Sequence, residues 1–138
     1  MYGMNDAARH ECARERGPDQ RLKGVLIAEP DPLLRWSVTT YLSRWFEVFA
    51  VDSLAAASAV LDSHQVDLVL ISDLIPERSR ELIESRVLRG NHEAAVIYMV
   101  TSLPRSSGGG KMRCIEKPFQ LSALARLLGV AAAQASGT

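Results

Sequence analysis

Cysteine is nearly absent: the 138-residue chain has only Cys12 and Cys114, far apart in sequence. That excludes a disulfide framework and the paired spacings of structural metal sites, and it points to a reducing cytoplasm. Net charge is absent too, with 16 basic residues against 16 acidic ones, so no global field draws the chain to nucleic acid or an anionic membrane. No apolar run approaches the roughly 18 residues of a membrane span. The N-terminus, MYGMNDAARHECARERGPDQRLK, has no apolar core of a signal peptide. Nucleotide-binding glycine motifs of the G-x-G-x-x-G and Walker A types are missing, as is a G-x-S-x-G elbow. His10, His64 and His92 are scattered without metal-ligand spacing, and none lies near a strand end to serve as a base. These absences argue against a hydrolase, a nucleotide-binding enzyme and a metalloenzyme.

What remains is an ordinary globular composition, 47% hydrophobic and 23% charged, of a length that fits one domain. Residues 1–22 are polar, mixed in charge and interrupted by Gly17-Pro18, which predicts a flexible leader with at most a short helix around Ala7–Arg16. Residues 134–138 read as a C-terminal tail, leaving 23–133 as the folded unit.

Within that unit apolar runs alternate with amphipathic stretches. Gly24–Ala28, Phe46–Val51, Asp67–Ser72, Ala94–Val100 and Met112–Ile115 read as strands. Pro32 opens a helical stretch with Leu33, Leu34, Val38, Tyr41 and Leu42 near helical spacing. Ser53 is placed to cap a helix through Leu54–Leu61. Glu77–Arg89 is helical, with Leu82, Ile83, Val87 and Leu88 as its apolar face, and a last helix spans about Gln120–Ala132. Arg78, Arg80, Arg86 and Arg89 interleave with Glu77, Glu81 and Glu84, the pattern of a solvated face. Trp36 and Trp45 flank the first helix and are expected to pack.

Strands that are apolar throughout are covered on both faces, as in parallel sheets, and strand–helix alternation gives right-handed βαβ units. The fold class is therefore α/β: a flavodoxin-like, doubly wound, five-stranded parallel sheet. Function in such sheets collects beyond the carboxyl ends of the strands. Those ends carry Glu29 and Asp31, then Ser72-Asp73, then Thr101, then Lys117-Pro118. Two acids, a hydroxyl and a lysine converging on one crevice form a far more specific signal than any one of them.

On these stretches (VLIAEPDPLLR at 25–35, VDLVLISDLIP at 66–76, VIYMVTS at 96–102 and IEKPF at 115–119) the chain resembles a response-regulator receiver domain of two-component signalling. The resemblance covers about residues 23–132 and implies strand order 2-1-3-4-5. In that family, acids after the first strand and an aspartate after the third hold Mg²⁺, and the aspartate takes a phosphoryl group from a histidine kinase. A hydroxyl after the fourth strand and a lysine after the fifth contact that group, and an aromatic on the fifth strand changes rotamer. The resemblance places Glu29 on the first acidic position, Thr101 and Lys117 on the hydroxyl and lysine positions, and Pro118 as a cis-proline candidate.

The departures matter as much. Pro30 stands at the second acidic position, with Asp31 next to it in an acidic pocket with Glu29. Ser72 occupies the phosphoacceptor position, and Asp73 follows one residue later, its side chain expected to point the other way because strand side chains alternate. Cys114 replaces the switch aromatic and reads as a small core residue. Between Thr101 and Lys117, Pro104 and Gly108-Gly109-Gly110 leave little for a fourth of five helices, which is expected to be missing or reduced.

The expected function is a stand-alone, atypical receiver acting through protein partners, a histidine kinase or another regulator among them, without aspartyl phosphorylation or a cofactor. Lys117 is then expected to pair with Glu29 or Asp31, since a buried lysine needs an anion. The alternatives are a working phosphoreceiver using Asp73, with a weak Mg²⁺ site at Glu29, Asp31 and Asp73, and an assembly module that forms homodimers where the missing helix uncovers the fourth and fifth strands. A direct DNA binder is disfavoured by the lack of a basic stripe.

Overall fold

A computed structural model describes residues 23–102 and 113–136, with side chains described as far as residue 129. The predicted leader, with His10 and Cys12, and the segment 103–112 where helix loss is expected both lie outside the described residues. Among the described residues the order is β1 (Lys23–Ala28), α1 (Pro32–Leu42), β2 (Phe46–Val51), α2 (Leu54–Ser63), β3 (Leu68–Ser72), α3 (Glu77–Gly90), β4 (Ala95–Val100), β5 (Arg113–Glu116) and α4 (Leu121–Ser136). The five strands form one sheet in the order β2-β1-β3-β4-β5, and every pairing is parallel. Among the described residues no helix is long and apolar enough to cross a membrane.

Sequence parity builds the two layers. Val25, Ile27, Leu68, Leu70, Ile97 and Met99 face one side of the sheet, where Val38 and Leu42 of α1 and Leu124 and Leu128 of α4 cover them. Leu26, Ala28, Val69 and Ile71 face the other, against Ala57 of α2 and Ile83 and Val87 of α3. Each fully buried Leu or Ile contributes about 1.5–3 kcal/mol, and the strands that supply both layers are the ones with unbroken apolar runs.

Local signals set the helix starts. Asp31 caps α1 through its Oδ1, which accepts from the Leu33 N–H at 3.1 Å, and Pro32 occupies the first turn, where its missing N–H costs nothing. Ser53 Oγ accepts from the Ala56 N–H and caps α2. At the opposite, amino edge of the sheet, Asp67 Oδ2 accepts from the Gly24 N–H at 3.0 Å and fixes β1 against β3.

Three expectations need correction. Leu82 is exposed, so the buried stripe of α3 narrows to Ile83 and Val87, with Leu88 at its margin; helical spacing identifies a face but not its width. Trp36 is 65% and Trp45 41% exposed, so neither is a core residue. The last helix runs to Ser136, beyond the expected end, because the alanine-rich stretch after Val130 propagates a helix well.

Candidate functional site

The strand register brings the carboxyl ends together. Ala28 pairs with Ile71, Ser72 with Met99 and Val100 with Glu116, so Glu29, Ser72 and Lys117 all stand at strand ends around the β1–β3 switch point. Glu29 and Ser72 are the only buried polar or charged residues among those described, both at 0% exposure.

Lys117 is the hub. Its ammonium lies 2.9 Å from Glu29 Oε1 and donates to Ser72 Oγ at 2.8 Å; Asp73 Oδ1 is 3.9 Å away. Of the two partners expected for this lysine, Glu29 and Asp31, it takes Glu29. Glu29 Oε1 and Asp73 Oδ1 are buried without a hydrogen-bond partner of good angle, so their contact with Lys117 is an ion pair rather than a directed bond. The other Glu29 oxygen, Oε2, accepts from the Asp31 N–H at 3.0 Å. The Lys117–Pro118 peptide bond is cis.

A second cradle adjoins the first. Asp73 Oδ2 accepts from the Thr101 N–H at 2.7 Å and from the Thr101 hydroxyl at 2.8 Å. Burial alone pushes the Asp73 carboxyl up; the Thr101 N–H and hydroxyl, then the charges of Lys117 and Arg80, outweigh it and hold the group below its ordinary range. Asp73 does not point away from Ser72 into another region, as strand alternation suggests. β3 ends at Ser72, and Asp73 is the first residue of a turn in which Ser72 Oγ accepts from the Leu74 N–H at 3.0 Å and the Ile75 N–H returns to the Ser72 carbonyl at 3.2 Å. Period two stops with the strand.

Asp31 is corrected as well. It contributes its backbone N–H to Glu29, while its exposed side chain caps α1; the Asp-Pro pair before a helix competes for the carboxylate and wins. Pro30 brings only a carbonyl, to which Arg35 Nη1 donates at 3.3 Å alongside a 2.9 Å bond to the Glu29 carbonyl. Arg35, which clamps this loop, escaped the sequence reading, and Arg80, read there only as part of a solvated face, adds positive charge near Asp73.

Cys114 is half-buried on β5 and pairs in register with Tyr98 of β4. Burial pushes its thiol up, away from a reactive thiolate. The Tyr98 hydroxyl donates to Glu84 of α3, tying β4 to the helix, and burial and that bond push it well above its ordinary range.

Mg²⁺ needs near-octahedral oxygen ligation, usually with one or two carboxylates. Here the oxygens that face a common centre, from Glu29, Asp73 and Ser72, surround an ammonium, Asp31 is turned away, and Pro30 has no carboxylate. No group of three or more His, Cys, Asp or Glu among the described residues could hold a metal ion. With the Lys117 ammonium among these oxygens, the donor set does not fit a divalent ion.

A doubly wound sheet of this order, with an acid, a hydroxyl and a lysine at the switch point, is the receiver fold of two-component response regulators. Solved structures agree. The chain is similar to the signal receiver domain of an HD domain-containing protein from Pseudomonas fluorescens Pf-5, with a TM-score of 0.71 at 17% identity over 86% of this chain and 100% of that one. It is similar to a response regulator from Thermotoga maritima, with a TM-score of 0.68 at 17% identity over 80% and 98%. It is also similar to an orphan response regulator of H. pylori, with a TM-score of 0.63 at 21% identity over 79% and 95%. No family model and no curated protein matches the sequence.

Proposed function

We propose that the chain is a receiver-type signalling module that works through protein contacts without phosphorylation. One observation carries this reading: the groups that would meet an incoming phosphoryl group are already engaged. Lys117 holds Glu29 and Ser72, Thr101 holds Asp73 through both its N–H and its hydroxyl, and a serine stands where the acceptor carboxylate belongs. Serine does not form the acyl phosphate that a carboxylate forms. The reading is of a binding module rather than an enzyme: the two carboxylates of the crevice are tied to Lys117 and Thr101. Exposed Leu33 and Trp36 on α1 and Leu74 after β3 follow directly on the strand ends, and they offer apolar contact area for a protein partner in the cytoplasm.

The second reading, a phosphoreceiver using Asp73, draws on one feature: Asp73 Oδ1 has no hydrogen-bond partner and faces Lys117. Incubation with acetyl phosphate and Mg²⁺, read by intact mass, separates the two. The expected result is no adduct. A single phosphoryl adduct that Asp73→Asn abolishes would establish the phosphoreceiver instead.

A further inference from the structure

We infer that the Lys117 ammonium is the resident cation of the crevice, taking the place that a divalent ion would otherwise occupy among Glu29, Ser72 and Asp73. The inference deepens the phosphorylation-independent reading, on which it rests. Its basis is the arrangement of oxygens. Three oxygen atoms from three residues surround Nζ: Ser72 Oγ at 2.8 Å, Glu29 Oε1 at 2.9 Å and Asp73 Oδ1 at 3.9 Å. Two of them are buried carboxylate oxygens with no hydrogen-bond partner, and Glu29 is wholly buried. Buried anionic oxygens that take no hydrogen bond must be neutralised by a cation at their focus. The chain supplies that cation covalently, at the end of β5, so the charge is balanced with nothing imported.

Two features keep the ammonium there. Ser72 accepts from it, a contact that a carboxylate at that position would turn into competition between lysine and metal. Pro30 adds no further carboxylate, so the focus carries only the Glu29 and Asp73 charges, and Thr101 satisfies much of the Asp73 charge from the far side. A dication entering this pocket would meet the fixed positive charge of the ammonium among the same oxygens, 2.8 Å from Ser72 Oγ and 2.9 Å from Glu29 Oε1.

Removing the ammonium should therefore expose a cation site. The test is the melting temperature of the whole chain by circular dichroism, with and without 10 mM MgCl₂ or MnCl₂, for wild type, Lys117→Ala and the double variant Glu29→Gln/Lys117→Ala. Wild type should move by less than about 1 °C. Lys117→Ala should rise by about 4–8 °C in the metal, the gain for an ion at roughly tenfold its dissociation constant. The double variant should lose that gain. If Lys117→Ala does not fold, Lys117→Gln keeps the volume without the charge and should show the same direction. A wild type stabilised by either metal overturns the inference, because lysine and metal would then share the pocket. A lysine-free variant that ignores both metals overturns it too, because the oxygens would not share a focus. Metal stabilisation of wild type without a phosphoryl adduct sinks only this inference; an adduct formed by a wild type that metal does not stabilise sinks only the functional reading.

Discussion

Replacing Lys117 by methionine isolates the charge from the volume of the side chain. At 2.9 Å and an effective dielectric of about 20, the attraction between Lys117 and Glu29 is about 6 kcal/mol before desolvation is counted. Much of that gain is offset by burying both ions, so the pair adds little net stability over an apolar pair. Losing one partner is different, because the wholly buried Glu29 keeps its burial cost without a counter-charge. The expected loss is about 3–5 kcal/mol, or a drop in melting temperature of roughly 10–20 °C. Glu29→Gln/Lys117→Met should recover most of it, with a coupling of at least about 2 kcal/mol in the double-mutant cycle. Urea unfolding followed at 222 nm measures all four corners. A loss under about 1 kcal/mol for Lys117→Met, or strictly additive single variants, would refute the account of Lys117 as the buried counter-charge.

Three further outcomes follow from described contacts. Asp73 is held below its ordinary range, so its contribution is present above the usual carboxylate range and lost as pH falls through the depressed value; Asp73→Asn should show a shallower fall in stability between about pH 5 and 2 in acid titrations followed by circular dichroism. Tyr98 is raised, so its contribution is present up to about pH 10 and lost as pH climbs further; Tyr98→Phe should cost about 1–2 kcal/mol at neutral pH and flatten that alkaline decline in urea melts. Ser53→Ala removes the α2 cap and should cost about 1 kcal/mol, which Ser53→Asp should largely restore.

The fold was legible because its signals are redundant. Five apolar runs, helical spacing between them and the cap at Ser53 all point to one topology. The Glu29–Lys117 pair was legible because burial leaves a lysine at a strand end few options. Asp73 was not, because alternation holds only inside a strand and the sequence does not say that β3 stops at Ser72. Asp31 carried two compatible signals, pocket acid and helix cap, and only the backbone decides between them. Arg35 reaches six residues back to the Glu29 carbonyl, a contact that depends on the loop path and leaves no periodic trace.

The exposure of the tryptophans has a spectroscopic consequence. Trp36 and Trp45 are the only two in the chain, and both lie on or just after α1 with much of their surface in water. Native emission should already sit near that of free indole, so unfolding should shift it little. Intrinsic fluorescence would then be nearly blind to the state of the crevice, yet a partner that covered Trp36 would move the emission to the blue.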